Sequence, residues 1–283
     1  MDASQIWFIT GANRGLGRAL TLAALKAGHS VFATVRGEHS LPEGERLHVH
    51  RLDVRNREDA RLAVARAVDT FGRLDVLVNN AGYGLIGAVE EVAEAEAREI
   101  IDTDLFGPLW LSQAAVAVMR EQGSGHIVQI STVGAVGTMP TLGLYNAAKW
   151  ALEGVSEALA AEVAGFGIRV TLAELGETDT EWATASMQFS TPNPAYDDLR
   201  TGLFGSSEVP WPNAHGTGGG TPAADAAAAI LRHVADAADT RLRLLVGDDA
   251  PAQVVAALDG RRRDYARDPR FASAAEAAAE PKS

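Results

Sequence analysis

Tyr145 stands four residues before Lys149, and Thr132 lies thirteen residues before the tyrosine, in the stretch STVGAVGTMPTLGLYNAAK (131–149). A phenol and an ammonium at positions i and i+4 share one face of a helix. An isolated phenol has a pKa near ~10, which is high for a proton donor at neutral pH. An ammonium on the same face stabilises the phenolate and brings the phenol closer to the working pH. A nearby hydroxyl can hold an oxygen on which negative charge develops. These three side chains suit proton exchange with the oxygen of a carbonyl or an alcohol, and Thr132 is the candidate hydroxyl.

A carbonyl becomes an alcohol only if a hydride also reaches its carbon. The chain carries a motif for such a donor in Gly11-x-x-x-Gly15-x-Gly17, between an apolar strand and a helix. Glycines there let the backbone approach a pyrophosphate, whose charge is met by free N–H groups and the positive end of the next helix. The residue that reads the adenosine ribose is expected at the end of the second strand. Val35 and Arg36 stand there in place of a carboxylate. A guanidinium suits a 2′-phosphate, and Arg14 inside the turn can add a second charge, so NADP is expected in preference to NAD.

The chain has 283 residues, 47% of them hydrophobic, enough for one large α/β core. Strand-like and helical runs alternate throughout. Strands are expected at 5–10, 30–35, 46–54, 74–82, 125–132, 168–176 and 241–247. Helices are expected at 18–28, 57–72, around 90–120, and at 145–167 and 223–238, with a polar helical tail. Such a βαβ rhythm predicts a single doubly wound parallel sheet with helices on both faces. The cofactor half spans about 1–125, the catalytic and substrate half about 126–265, and a flexible tail 266–283. Residues 183–222, rich in Pro, Gly, Ser and Thr, are read as one mobile loop forming a lid over the substrate. No apolar run reaches the ~18 residues of a membrane span, and the N-terminus runs straight into a strand, so a cytoplasmic protein without membrane contact is expected. Zero cysteines exclude disulfides and thiolate nucleophiles, and a net charge of −12 disfavours nucleic acid.

With these motifs in order, the chain resembles the short-chain dehydrogenase/reductase family from residue 5 to about 182, with a looser echo to 265. TGANRGLG looks like the family's cofactor turn, LDV (52–54) like its adenine contact, NNAG (79–82) like its sheet-stabilising turn and YNAAK like its Tyr-x-x-x-Lys. The resemblance implies a Rossmann-type sheet and cofactor contacts from Gly11, Asn13, Arg14, Gly15, Leu16, Gly17, Arg36, Asp53, Val54, Asn80, Ala81, Gly82, Tyr145, Lys149, Gly176 and Thr180. It gives Lys149 a second task, a hydrogen bond to the nicotinamide ribose, and it implies a homodimer or homotetramer. The wording ATVR, YNAAKWALEGVSEAL and EVAGFGIRVTL is most similar to NADP-preferring carbonyl and hydroxysteroid-type reductases.

Three positions depart from the family. Thr132 replaces the catalytic serine, with Ser131 one residue early and facing the other side of the strand. Asp104 replaces the asparagine of a relay that would connect Lys149 through water to solvent. Leu175 replaces the proline before Gly176, which is expected to loosen the backbone beside the nicotinamide. Elsewhere, His48 and His50 on one strand face read as a solvated strand, and no metal site is expected. The acidic run EEVAEAEARE (90–99) reads as a solvated helix face. RRRDYARD (261–268) could attract anions or simply form a surface helix. Trp150 and Trp182 flank the inferred site, as pocket lining or as core.

The reading is an NADPH-dependent oxidoreductase acting on a small carbonyl or alcohol substrate, apolar or cyclic. In it Tyr145 is the acid/base, Lys149 its tuner and Thr132 the holder of the carbonyl oxygen, with Asp104 in the same relay. A non-redox isomerase, dehydratase or cyclase on the same fold, and an NADP-binding redox sensor without turnover, stay open.

Overall fold

The computed structural model describes residues 4–180, 186–210 and 219–271. Trp182, residues 211–218 of the expected lid and the tail from 272 onward lie outside the described residues. Seven strands form one parallel sheet: β1 (Ile6–Ile9), β2 (Ser30–Val35), β3 (Leu47–Arg51), β4 (Val76–Asn79), β6 (Gly125–Thr132), β7 (Ile168–Leu175) and β11 (Arg243–Val246). Their order is β11-β7-β6-β4-β1-β2-β3. The chain starts mid-sheet, winds outward to β3, then returns to β4 and winds the other way. The crevice where the order reverses, between β1 and β4, is where ligands bind in such sheets.

Helices cover both faces, which explains why the central strands β1, β2 and β4 are nearly continuous apolar runs. Within β1 the alternation survives. Trp7 and Ile9 pack with Leu16, Leu20 and Ala24 of α1 (Gly15–Lys26) and with Ala226, Ile230 and Val234 of α7 (Ala223–Ala235). Phe8 turns to the opposite face, stacks on Phe32 at 5.2 Å, and joins Val64 of α2 (Arg57–Phe71) and Leu111 and Met119 of α4 (Gly107–Gln122). Each such fully buried side chain contributes roughly 1.5–3 kcal/mol. The long helix α5 (Gly143–Val163) lies on the same face.

Helix boundaries follow local chemistry. Asn56 caps α2 by accepting from the backbone N–H groups of Glu58 and Asp59, and Gly72, at φ +83°, ends it. One boundary differs from expectation. α1 begins at Gly15, inside the glycine motif, so the motif contributes the helix's own first turn. Between α3 (Glu94–Ile101) and α4 the chain widens into a π-helical turn, Asp102–Phe106, a feature often found at functional sites.

The segment expected to be a mobile loop has built structure in its described part. β9 (Met187–Phe189) pairs in parallel with β5 (Gly84–Ile86), and α6 (Asp197–Phe204) follows a 3₁₀ turn. A second small pair joins β8 (Thr178–Asp179) to β10 (Thr221–Pro222). The acidic run accounts for much of this order, against its reading as a solvated face. Arg200, 2% exposed, donates to Glu91 at 2.6 Å and Asp197 at 2.7 Å. Tyr196 Oη donates to Glu90 at 2.6 Å and Ser190 Oγ to Glu96 at 2.8 Å. His48 and His50 pack their rings on Phe32, at 4.9 and 5.5 Å. The last helix among the described residues, α8 (Ala250–Tyr265), packs against β11 and the turn after β6, and one of its faces lines the cavity described next.

Candidate active site

A cavity of about 1180 Å³ opens at the carboxyl ends of the strands. Every site residue named from the sequence lines it: the glycine turn with Asn13, Arg14 and Leu16, then Arg36, Asp53, Val54, Asn80, Ala81, Gly82, Asp104, Thr132, Tyr145, Lys149, Gly176 and Thr180.

The glycine turn is shaped for close approach. Gly11 sits at φ +64°, where a side chain is disfavoured, and a Cβ at Gly17 would overlap the carbonyl oxygen of Gly11 and Nδ2 of Asn80. Asn80 braces the turn from β4, donating from Nδ2 to the carbonyl oxygen of Thr10 at 2.8 Å, while the N–H groups of Asn80 and Ala81 both donate to Thr10 Oγ1 at 2.9 Å. The N-cap residue Arg14 offers no side-chain cap to α1, and no acidic residue stands in the helix's first turn. A helix start without its own counter-charge, facing a cavity, fits the pyrophosphate of a dinucleotide. Arg14 and Arg36 line the same end. Asp53 lies there too, gripped by Arg55 through contacts of 2.6–3.1 Å that hold its carboxyl below the usual carboxylate range.

The reacting groups come from three elements. β6 ends at Thr132, α5 carries Tyr145 and Lys149 on its buried face, and the π turn brings in Asp104. The Thr132 hydroxyl acts on the phenol of Tyr145, favouring its ionised form, and both side chains line the cavity. Thr132 Oγ1 also accepts from the N–H of Gly134 at 3.1 Å, which fixes its rotamer. Ser131 points to the other face of the sheet, donating to Glu153 Oε1 at 2.6 Å. Glu153 belongs to a buried group with Glu174, whose carboxyl is pushed up to about 7 by burial and by its neighbour Glu153, and with Arg243, 2.9 Å from Glu174.

Lys149 differs from the expected arrangement. Its Nζ donates to the carbonyl oxygen of Ile130 at 3.0 Å and lies 3.3 Å from Asp104 Oδ2, so the pair is direct rather than relayed through water. Asp104 is fully buried, and its Oδ1 accepts from the N–H of Tyr83 at 3.2 Å. Burial raises the pKa of Asp104, with Lys149 pulling it back. Burial and the nearby Asp104 carboxyl push the Tyr145 phenol above its ordinary value, while Thr132 opposes the shift. The ammonium is engaged by a carboxylate, and its field at the phenol is correspondingly weakened.

Leu175 does not loosen the backbone. It pairs with Thr132 on β6 and with Val246 on β11, and the N–H of Gly176 donates to the Val246 carbonyl oxygen at 2.9 Å. Two parts of the cavity go beyond the expected set. Tyr83 lines it beside Asp104, and one face of α8 contributes Gln253, Ala256, Ala257, Gly260 and Arg261. Their spacing of three and four is a helical stripe, and its small residues are the signal that marks a face packed close to something. Trp150 also lines the cavity, its Nε1 donating to the carbonyl oxygen of Gly134 at 2.9 Å. Among the described residues no cluster of His, Cys, Asp and Glu is arranged to hold a metal ion, and no helix is long and apolar enough to cross a membrane.

Comparison with known proteins agrees with this architecture. The sequence model of short chain dehydrogenases matches residues 5–190. Oxidoreductase BOA17 of Botryotinia fuckeliana is 37% identical over 273 residues, covering 92% of this chain and 97% of that protein. A short-chain dehydrogenase from Streptomyces avermitilis superposes with a TM-score of 0.84 at 36% identity, covering 96% of this chain and all of the other. A short chain dehydrogenase from Burkholderia cenocepacia, solved in complex with NADP, gives a TM-score of 0.72 at 25% identity, with 93% and 97% covered. This chain belongs to the short chain dehydrogenase family, oxidoreductases that work with a nicotinamide cofactor.

Proposed function

We propose that the protein is an NADPH-dependent carbonyl reductase, able to run in reverse as an alcohol dehydrogenase. The observation that carries this reading is that Tyr145, Thr132 and Lys149 line one cavity together with an uncapped, glycine-lined helix start. The dinucleotide supplies or accepts the hydride when bound. Thr132 Oγ1 holds the carbonyl oxygen and Tyr145 donates the proton to it. A phenol held above its ordinary pKa stays protonated across the neutral range, the form needed for reduction. Oxidation needs the phenolate and should rise with pH. We take the chain to work as a single domain, as a cytoplasmic homodimer or homotetramer, with the segment after β8 as its substrate lid.

The cofactor preference rests on Arg14 and Arg36 at the ribose end of the cavity. Arg36→Asp is expected to weaken NADPH binding by ~1.5–3 kcal/mol, the scale of a charge-assisted hydrogen bond, while leaving NADH binding nearly unchanged. Titration of both cofactors by fluorescence checks it, and equal affinity of the unmodified protein for the two would remove its basis.

The direct Asp104–Lys149 pair makes a second expectation sharper. An ionised Asp104 opposes ionisation of Tyr145 and partly cancels the field of Lys149. Asp104→Asn removes that charge while keeping an acceptor for the N–H of Tyr83. The tyrosine-dependent limb of the alcohol-oxidation profile is expected to move to lower pH by ~0.5–1 unit, each unit being about 1.4 kcal/mol. An unmoved limb with a lowered melting temperature would assign Asp104 to structure alone.

A further inference from the structure

Arg261 lines the cavity beside Trp150 and the loop that follows Thr132, two turns along α8 from Gln253, about 12 Å at the helical rise. Four cations of the described residues line the cavity: Arg14, Arg36, Lys149 and Arg261. The first two lie at the glycine-turn end, and Lys149 is engaged by Asp104. Arg261 is the cation of the substrate end. Its guanidinium lies 4.1 Å from the centre of the Trp150 ring and donates to the carbonyl oxygen of Val136, four residues beyond Thr132. Trp150 is anchored in turn through Nε1 to Gly134. The group is therefore held in place by a ring and one backbone acceptor. Arg55, Arg200 and Arg243 each hold carboxylates. Among the described residues no carboxylate is paired with Arg261, so N–H donors of its fork remain for a ligand.

The acidic residue lining this side, Glu177, lies at the other end of α8, its N–H donating to Asp249, the residue that starts the helix. Around Arg261 and Thr132 the lining is mainly apolar, with Val136, Met139, Leu142 and Trp150, and Thr138 and Asn146 are its polar members. An apolar stretch ending at a preorganised guanidinium matches a molecule with a carbonyl at one end and an anion at the other. In a chain of net charge −12, an anionic substrate needs such a local cation to offset the general repulsion.

We propose that Arg261 reads an anionic group of the substrate, a carboxylate or phosphate separated by an apolar spacer from the carbonyl that meets Tyr145 and Thr132. This rests on the reductase reading above and names its substrate class. The test compares straight-chain methyl ketones ending in a carboxylate, a phosphate monoester or a methyl ester. Turnover with NADPH and calorimetric binding to the full chain are both measured, for the unmodified protein and for Arg261→Ala, Arg261→Lys and Arg263→Ala. The expected result is a KM about tenfold lower for an anionic ketone than for the ester. Arg261→Ala abolishes that preference with little change in kcat, Arg261→Lys keeps part of it, and Arg263→Ala, off the cavity, keeps all of it. Whichever anion loses more on substitution is the one the site is built for. An equal rise in KM for all three ketones, or a fall in kcat with a lowered melting temperature, would overturn the proposal and leave Arg261 as a staple joining α8 to the loop after Thr132. Arg261-dependent binding of the anions without turnover of any ketone would retain the anion site and overturn the reductase reading alone. Equal binding of ester and anions overturns the anion site whatever the turnover.

Discussion

Tyr145→Phe is expected to lower turnover by at least ~10²-fold while leaving NADPH affinity nearly intact, because a positioned proton donor is worth ~10²–10⁴ in rate. The substitution removes one oxygen and leaves the ring, which packs with Tyr83, Leu85 and Ile100 in a small buried cluster. Stability should change little, since Thr132 keeps its contact with Gly134. Lys149 should also remain in place, held by Ile130 and Asp104 rather than by the phenol. Steady-state rates with one ketone, together with cofactor titration, check this. A variant retaining more than a tenth of the activity would mean that another group delivers the proton.

Thr132→Val is the second large effect, a loss of ~10²-fold or more, the scale for removing one donor from a developing oxyanion. Valine keeps the shape and removes the hydroxyl. It also strands the N–H of Gly134, so a fall in stability of about 1 kcal/mol accompanies the rate loss. Thr132→Ser separates the two, since serine restores the hydroxyl and should remain active. Ser131 is no substitute, because its hydroxyl is turned to Glu153 on the far face. A fully active Thr132→Val protein would contradict that assignment.

The central strands of the main sheet are legible in the sequence because parallel strands covered on both faces are largely apolar, and the glycine turn because its spacing matches one backbone shape. The tyrosine, lysine and threonine stand out through the motifs around them and the family those motifs resemble rather than through spacing alone, and all three line the cavity. What escapes such a reading is tertiary in origin. β5 and β9 are three residues each and pair across a hundred positions, too short for any period to register. Glu90, Glu91 and Glu96 look like a solvated face until Tyr196, Arg200 and Ser190 arrive from the far side of the sequence. Asp104 is visible as a departure from the family, but its direct contact with Lys149 depends on the π turn, which no propensity encodes. Arg261 sits within a basic run, and its place at the cavity follows from how α8 packs against β11 and the turn after β6.

The most direct test of the central claim is NADPH absorbance followed together with product mass, across a panel of ketones, aldehydes and quinones. The account predicts that, for at least one carbonyl, each molecule of NADPH oxidised yields one molecule of alcohol, heavier than the substrate by two hydrogens. Conversion of a substrate with no net oxidation of NADPH would contradict it in favour of acid/base chemistry by Tyr145 alone, and tight NADPH binding with no turnover across the panel would contradict it in favour of a sensor.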